Sequence, residues 1–335
     1  MKRIISLLLA LALSLSLAAC AAPAEKADGG KLQIVTTLFP YYDFARAIAR
    51  DRADVTLLLF PGREAHSFEP TPLDAVTISE ADVFLYNGGE GEYWVESMLD
   101  AAGEHIAVAS RMMDYVDALN EEYVEGMQGA DGHDHDHEHG SHDDHDHDHE
   151  EDEHDSDEIE YDEHIWTSPK NAVVLCRAVC DAICRADAEN AAFYRANCEN
   201  YCAQLEDLDA RFAALCESAP RRLLIFADRF PMLYFCREYG LDYRAAFHGC
   251  SGDTEPSLAT IKFLIDKVED ENIPVVYTID FGTKKVAAVV SECTGAAIET
   301  LYSMQTVSRA DFDAGETYLT LMERNFEALR KGLNE

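Results

Sequence analysis

Short apolar or β-branched runs alternate with segments of helical period along this chain, and one long helical segment divides the alternation in two. Residues 32–36, 55–60, 83–86 and 105–109 read as strands, with helices over 39–50, 73–80 and 92–101. A helix starts at Ser168-Pro169, and a second helical stretch runs from about 187 to 216. Strands then return at 223–227, 242–247, 275–279 and 296–300, with helices over 231–239, 256–269, 283–293 and 313–333. Strand–helix–strand repetition builds parallel sheets with crossover helices. The uninterrupted apolar run at 55–60 predicts a strand covered on both faces. The long segment carries Tyr194, Tyr201, Leu205, Leu208, Phe212 and Leu215 on one stripe and exceeds what one lobe needs. The pattern therefore predicts an α/β chain of two lobes with parallel sheets, joined by a long rigid helix.

Between the two halves lies a segment that cannot join a core. From residue 131 to 163 the chain reads DGHDHDHEHGSHDDHDHDHEEDEHDSDEIEYDE, with almost nothing apolar to bury and no lysine or arginine. Nine imidazoles, those of His133, His135, His137, His139, His142, His145, His147, His149 and His154, alternate with carboxylates. Neutral imidazoles ligate transition metals and the acids concentrate cations, so the tract reads as an accessory metal-binding loop. A solvated acidic linker is the plainer alternative. The chain's formal net charge of −37 disfavours nucleic acid as a partner and favours cations.

The first residues have the layout of an export signal: Lys2 and Arg3, an apolar run, then Leu-Ala-Ala-Cys20. That ending resembles the bacterial lipobox, whose cysteine becomes the lipidated first residue, so the chain is expected outside the cytoplasm. It would be anchored to the outer face of the cell membrane or lie in the periplasm. A plain signal peptide cut nearby is the alternative. The expected layout is signal 1–20, tether 21–30, N-terminal lobe 31–186 with the loop 131–158, linking helix 187–218 and C-terminal lobe 219–335. Removing Cys20 from the ten cysteines leaves nine, so they cannot all pair. Cys176, Cys180 and Cys184 are four apart, as are Cys198 and Cys202; that spacing suits an intrahelical disulfide poorly. Most read as small buried residues, with Cys250 and Cys293 the pair to test for a bridge.

In parallel sheets ligands bind beyond the carboxyl ends of strands. Four ligand-type residues fall there or beside a helix start: His66, His164, Asp228 and Asp280. Two imidazoles and two carboxylates make a complete shell for a divalent transition metal. A strand-terminal Asp also serves as a helix cap and a loop His is commonly just exposed, so spacing alone leaves the assignment open. Glu69 and Glu163 are positioned to orient His66 and His164. No HExxH helix or nucleophile elbow is present, which disfavours a metal-dependent hydrolase.

The segments GREAHSFEPTP (62–72), DEHIWTSP (162–169) and Tyr239-Gly240-Leu241 resemble the metal-binding lipoproteins of zinc and manganese ABC importers, over nearly all of the mature chain. HxFEPTP together with DxHxWxSP is a specific pair. The resemblance implies a monomeric carrier with metal in the interlobe cleft, handing it to a membrane permease and its ATPase, with no chemical step. It places His66 and His164 on two histidine ligands and Asp280 on an acidic one. Asp228 departs from it, standing where the zinc branch usually has a third histidine and the manganese branch a glutamate. That oxygen-rich shell points toward Mn2+ or Fe2+; the His/acid loop, typical of the zinc branch, points to Zn2+ and outweighs it. A surface adhesin or metal buffer without a transport partner stays open.

Overall fold

The computed structural model describes residues 30–63, 68–103, 106–128, 160–250 and 255–334. The first alternation gives β1 (Leu32–Thr36), α1 (Phe39–Ala49), β2 (Ala53–Leu57), α2 (Pro72–Ser79), β3 (Val83–Tyr86), α3 (Val95–Ala102) and β4 (Val108–Arg111). Two helices follow, α4 (Pro169–Ala186) and α5 (Ala191–Ser218). The second alternation gives β5 (Leu223–Phe230), α6 (Leu233–Tyr239), β6 (Asp242–His248), α7 (Leu258–Asp270), β7 (Val275–Ile279), α8 (Lys285–Thr294) and β8 (Ala297–Leu301), closed by α9 (Arg309–Ala314) and α10 (Tyr318–Asn334). Each set of strands forms one parallel sheet, in the orders β2-β1-β3-β4 and β6-β5-β7-β8. In both, the chain order reverses direction at the first strand, so the loops after β1 and β3, and after β5 and β7, flank a switch point where such sheets bind ligands.

Local chemistry sets the helix starts. Thr71 and Asp74 form a reciprocal capping box on α2, with Pro72 in its first turn. Ser168 accepts from the Asn171 amide and Pro169 opens α4. Gly240 ends α6 in the left-handed region at φ 63°, which a side chain would disfavour. One strand differs from expectation. β2 spans Ala53–Leu57 instead of 55–60, and its burial alternates because it is the sheet edge. Leu58 and Leu59 are buried in the loop beyond it, and Phe60 is exposed. The apolar run thus marks a buried loop start and not a doubly covered strand.

α5 is 28 residues long, about 42 Å at the helical rise of about 1.5 Å per residue. All six apolar residues of the expected stripe are buried. Its first half meets the N-terminal part of the chain: Asn197 donates to the Ile48 carbonyl (2.9 Å), and the Tyr201 hydroxyl donates to Asp43 (2.5 Å). Its second half packs Phe212 against Phe235, Tyr239 and Phe326. One apolar core runs from β1 and α1 through α4 and α5 into β5, α6 and α10. Hydrogen bonds also cross between the halves. Trp166 Nε1 donates to the Ser303 carbonyl and the Tyr318 hydroxyl to the Trp166 carbonyl, both at 2.7 Å. The nine described cysteines are free thiols, seven of them buried. The Cys250–Cys293 bridge is absent: Cys250 is half-buried with its amide on Glu121, while Cys293 is exposed in α8.

Candidate metal site

The DEHIWTSP run folds as a short helical turn over Ile165–Thr167 leading into α4. Thr167 holds the His164 carbonyl with both its amide (3.1 Å) and its hydroxyl (2.8 Å), and Asn171 Nδ2 donates to the Ile165 carbonyl. The spacing of this segment therefore fixes His164 through its backbone. Its imidazole is 1% exposed and sits edge-on to Trp166, with ring centroids 5.6 Å apart. Asp162 Oδ1 accepts from the His164 amide (2.7 Å) and lies 3.1 Å from Nδ1. Burial disfavours the imidazolium, but Asp162, Glu121 and Glu163 outweigh it and raise the His164 pKa. A metal here competes with a proton.

Glu163, expected behind His164, is turned elsewhere. Its Oε1 accepts from the Gly91 amide (2.8 Å), and its carboxyl fills the space where side chains at Gly89 and Gly91 would stand. Burial raises its pKa. The residue that orients Nδ1 is Asp162. Adjacent acids point to opposite sides here, and the glycine turn that receives Glu163 is 72 residues away in sequence.

Across the cleft, His164 shares a cavity of about 20 Å³ with Arg229, Ile279, Phe281, Ser303 and Gln305. That volume holds about one water-sized occupant, since roughly 10–15 Å³ suffices for a water. Asp228 lies within β5 next to Arg229, and Asp280 follows β7 between Ile279 and Phe281, so it is their chain neighbours that line the cavity. Asp228 Oδ1 accepts from the Arg229 amide (2.9 Å) and Oδ2 from the Ile279 amide (3.4 Å), and the carboxyl packs against Gly282, where a Cβ would overlap it. Asp280 Oδ1 accepts from the Ser303 amide (3.2 Å). β5 continues past Asp228 through an irregularity between Phe226 and Arg229, so Asp228 lies within the strand and does not close it. His164 therefore lines the cavity while Asp228 and Asp280 stand one residue removed from its lining, and the three are not brought together as one ligand group. Among the described residues, the group that brings three ligand atoms within 4.8 Å of one another is Cys176, Cys198 and Cys202. Asp228 accepts from backbone amides at both oxygens and Asp280 at Oδ1.

His66, the nine tract histidines and Cys20 lie outside the described residues. Glu69 is exposed. Three residues beside these cavities went unread in the sequence: Asp162, Arg229 and Glu121, which pairs with His248. His248 Nδ1 lies 3.6 Å from Glu121 Oε2 and its ring is 5.1 Å from that of Tyr123. These two line a larger cavity of about 280 Å³, with Glu90, Glu160, Glu163 and Cys250. Glu160 of that lining is two residues past the expected loop 131–158.

A sequence model of the family described as "Zinc-uptake complex component A periplasmic" matches residues 34–332. The chain belongs to that zinc-uptake component A family. It is 31% identical over 308 residues to the high-affinity zinc uptake system protein ZnuA of Bacillus subtilis (strain 168), covering 91% of this chain and 88% of the relative. It is 30% identical over 334 residues to the zinc-binding lipoprotein AdcA of Streptococcus pneumoniae, covering 99% of this chain and 61% of AdcA. Among solved structures, the metal-dependent lipoprotein YcdH of Bacillus subtilis superposes with a TM-score of 0.72 at 29% identity, covering 90% of this chain and all of that one. The Zn(II)-bound ZnuA-like domain of Streptococcus pneumoniae AdcA gives 0.70 at 26% identity, covering 91% and 100%. The zinc-uptake component A fold is thus the two-sheet α/β architecture described above.

Proposed function

We propose that this chain is an extracytoplasmic zinc carrier that binds one Zn2+ tightly between its two halves and delivers it to the permease and ATPase of an ABC importer. One observation carries the reading. A buried imidazole, held at Nδ1 by Asp162, lines a small cavity together with Arg229, Ile279 and Phe281, the chain neighbours of the acids Asp228 and Asp280. With Nδ1 held, ligation by His164 falls to Nε2. His66, from the loop before α2, supplies the second imidazole, and the two acids complete the shell. Such a shell closes around its ion and leaves no place for an activated water, as carriage requires and hydrolysis does not. The names of the relatives and the His/acid tract both favour zinc. The protein works as a monomer, lipid-anchored through Cys20, with the tract gathering cations at the acidic mouth. Among the described residues no helix is long and apolar enough to cross a membrane.

A second reading rests on Asp228. Two carboxylates with two imidazoles form a harder shell than three imidazoles with one carboxylate, and such a shell accepts Mn2+ or Fe2+. Calorimetric titration of the full chain tests the site itself. Zinc should show a tight equivalent that depends on both His66 and His164, and His66→Ala or His164→Ala should each remove it. Tight binding unchanged in both variants contradicts the assignment.

A further inference from the structure

α4 and α5 pack side by side, joined by the turn 187–190, in which Asp187 accepts from Asn190 and the Tyr194 hydroxyl. The i, i+4 spacing lines up Cys176, Cys180 and Cys184 on one face of α4, and Cys198 and Cys202 on the face of α5 that meets it. All five thiols are buried. The sulfurs of Cys176, Cys198 and Cys202 lie within 4.8 Å of one another, Cys198 and Cys202 at 3.8 Å. Cys180 hydrogen-bonds to Cys198 and lies 4.0 Å from Cys184. The carrier reading uses none of these groups.

We propose that Cys176, Cys198 and Cys202, with Cys180 as the fourth donor, form a second, thiolate metal site for a thiophilic d10 cation, Zn2+ or Cu+, inside the α4–α5 helix pair. Three of the sulfurs already stand near this geometry, and Cys180, the next thiol on the same face of α4, would move in to complete it. A zinc–sulfur bond of about 2.3 Å implies a tetrahedral sulfur–sulfur edge of about 3.8 Å, and a trigonal thiolate site needs only slightly more. Thiolates select such ions over manganese, magnesium and calcium. Each ligating thiol releases its proton to solvent on binding. Arg177, whose charge acts on Cys198 and Cys202, offsets part of the resulting negative charge. Cys184, beside the turn and the least buried of the five, begins a path of thiol contacts through Cys180 to Cys198 along which an ion can pass by ligand exchange. Disulfides do not account for the cluster, because three thiols in mutual contact leave one over and i, i+4 pairs suit the bond poorly.

Cobalt titration of the full chain, reduced and under anaerobic conditions, tests this. Sulfur-to-cobalt charge-transfer absorption in the near ultraviolet arises only from thiolate ligation, so the cleft and the histidine tract do not contribute. The band should saturate at one equivalent. Zn2+ or Cu+ should displace the cobalt, and the order of displacement identifies the preferred ion. Cys198→Ala should abolish the band while keeping the tight zinc equivalent of the cleft; Cys216→Ala, a buried thiol outside the cluster, should keep both. If Cys198→Ala does not fold, Cys176→Ala and Cys202→Ala serve in its place, each with a weakened band. A folded, reduced native chain without the band overturns the proposal, as does a band that survives the loss of Cys198 or of both Cys176 and Cys202.

Discussion

At the scale of single residues, the candidate site depends on which acid faces which imidazole. Asp162 Oδ1 receives both the amide and Nδ1 of His164, which fixes the ring and keeps Nε2 aimed at the cavity. Asp162→Asn should weaken the tight zinc equivalent by about 10- to 100-fold, as loss of an orienting carboxylate does elsewhere. Calorimetry checks this, and an unchanged affinity would remove Asp162 from the site. A second residue-scale prediction concerns Glu92, buried beside the cleft with Oε2 on the Gly88 amide (2.8 Å) and Oε1 unsatisfied. Burial, which exceeds the effect of its hydrogen bonds, raises its pKa from 4.5 to about 7. The folded protein then holds a proton that the unfolded chain releases between those values, so stability falls as pH rises through that window, by up to about 3 kcal/mol. Glu92→Gln should flatten this fall and be the more stable form at pH 8 by urea unfolding; an identical pH slope in the variant contradicts it. His164 was legible in the sequence because DxHxWxSP fixes it through local backbone bonds. The roles of Asp162 and Glu163 were not, because the Gly89–Gly91 turn that draws Glu163 away lies in a distant segment. Asp228 was read as a strand-end acid, but β5 runs past it to Phe230, and its bond to the Ile279 amide depends on the neighbouring strand.

At the scale of elements, β1, β3 and β7 stand where their apolar runs place them, since flanking turn residues mark both ends. The stripe on α5 was equally plain. β2 was not, because edge position is a property of sheet order that no single run encodes. β4 starts at Val108, beyond the expected 105, and the irregularity in β5 carries that strand past Asp228. The histidine tract is the element whose role is most directly tested by removal. Glu160, just past the expected loop, lines a cavity with Glu121, Glu163 and His248, which supports the proposal that the tract gathers cations there without supplying the tight site. Deleting residues 131–157 should lower total zinc stoichiometry and leave the tight equivalent intact. Loss of that equivalent would place the tract within the site itself. Tract binding should also weaken below about pH 6, as imidazoles take up protons.

At the scale of the whole molecule, the two sheets are tied by far more than one connecting helix. Asp43 of α1 accepts from Tyr201 of α5 (2.5 Å) and from the amide of Tyr318 in α10 (2.9 Å), joining both halves at a buried carboxylate. Trp166 and Ser303 are bonded directly behind the His164 cavity. A continuous core through α4 and α5 gives the cleft fixed walls. A shell of two imidazoles and two carboxylates held by such walls discriminates ions through donor chemistry and the size of one small cavity. The identity of the ion in that cavity is the central claim. The decisive measurement is elemental analysis of the full chain after equilibration with equimolar Zn2+ and Mn2+ and exhaustive dialysis, with His164→Ala treated identically. The account predicts that the native chain retains zinc with one more equivalent than His164→Ala. Retention of manganese in that equivalent would contradict it.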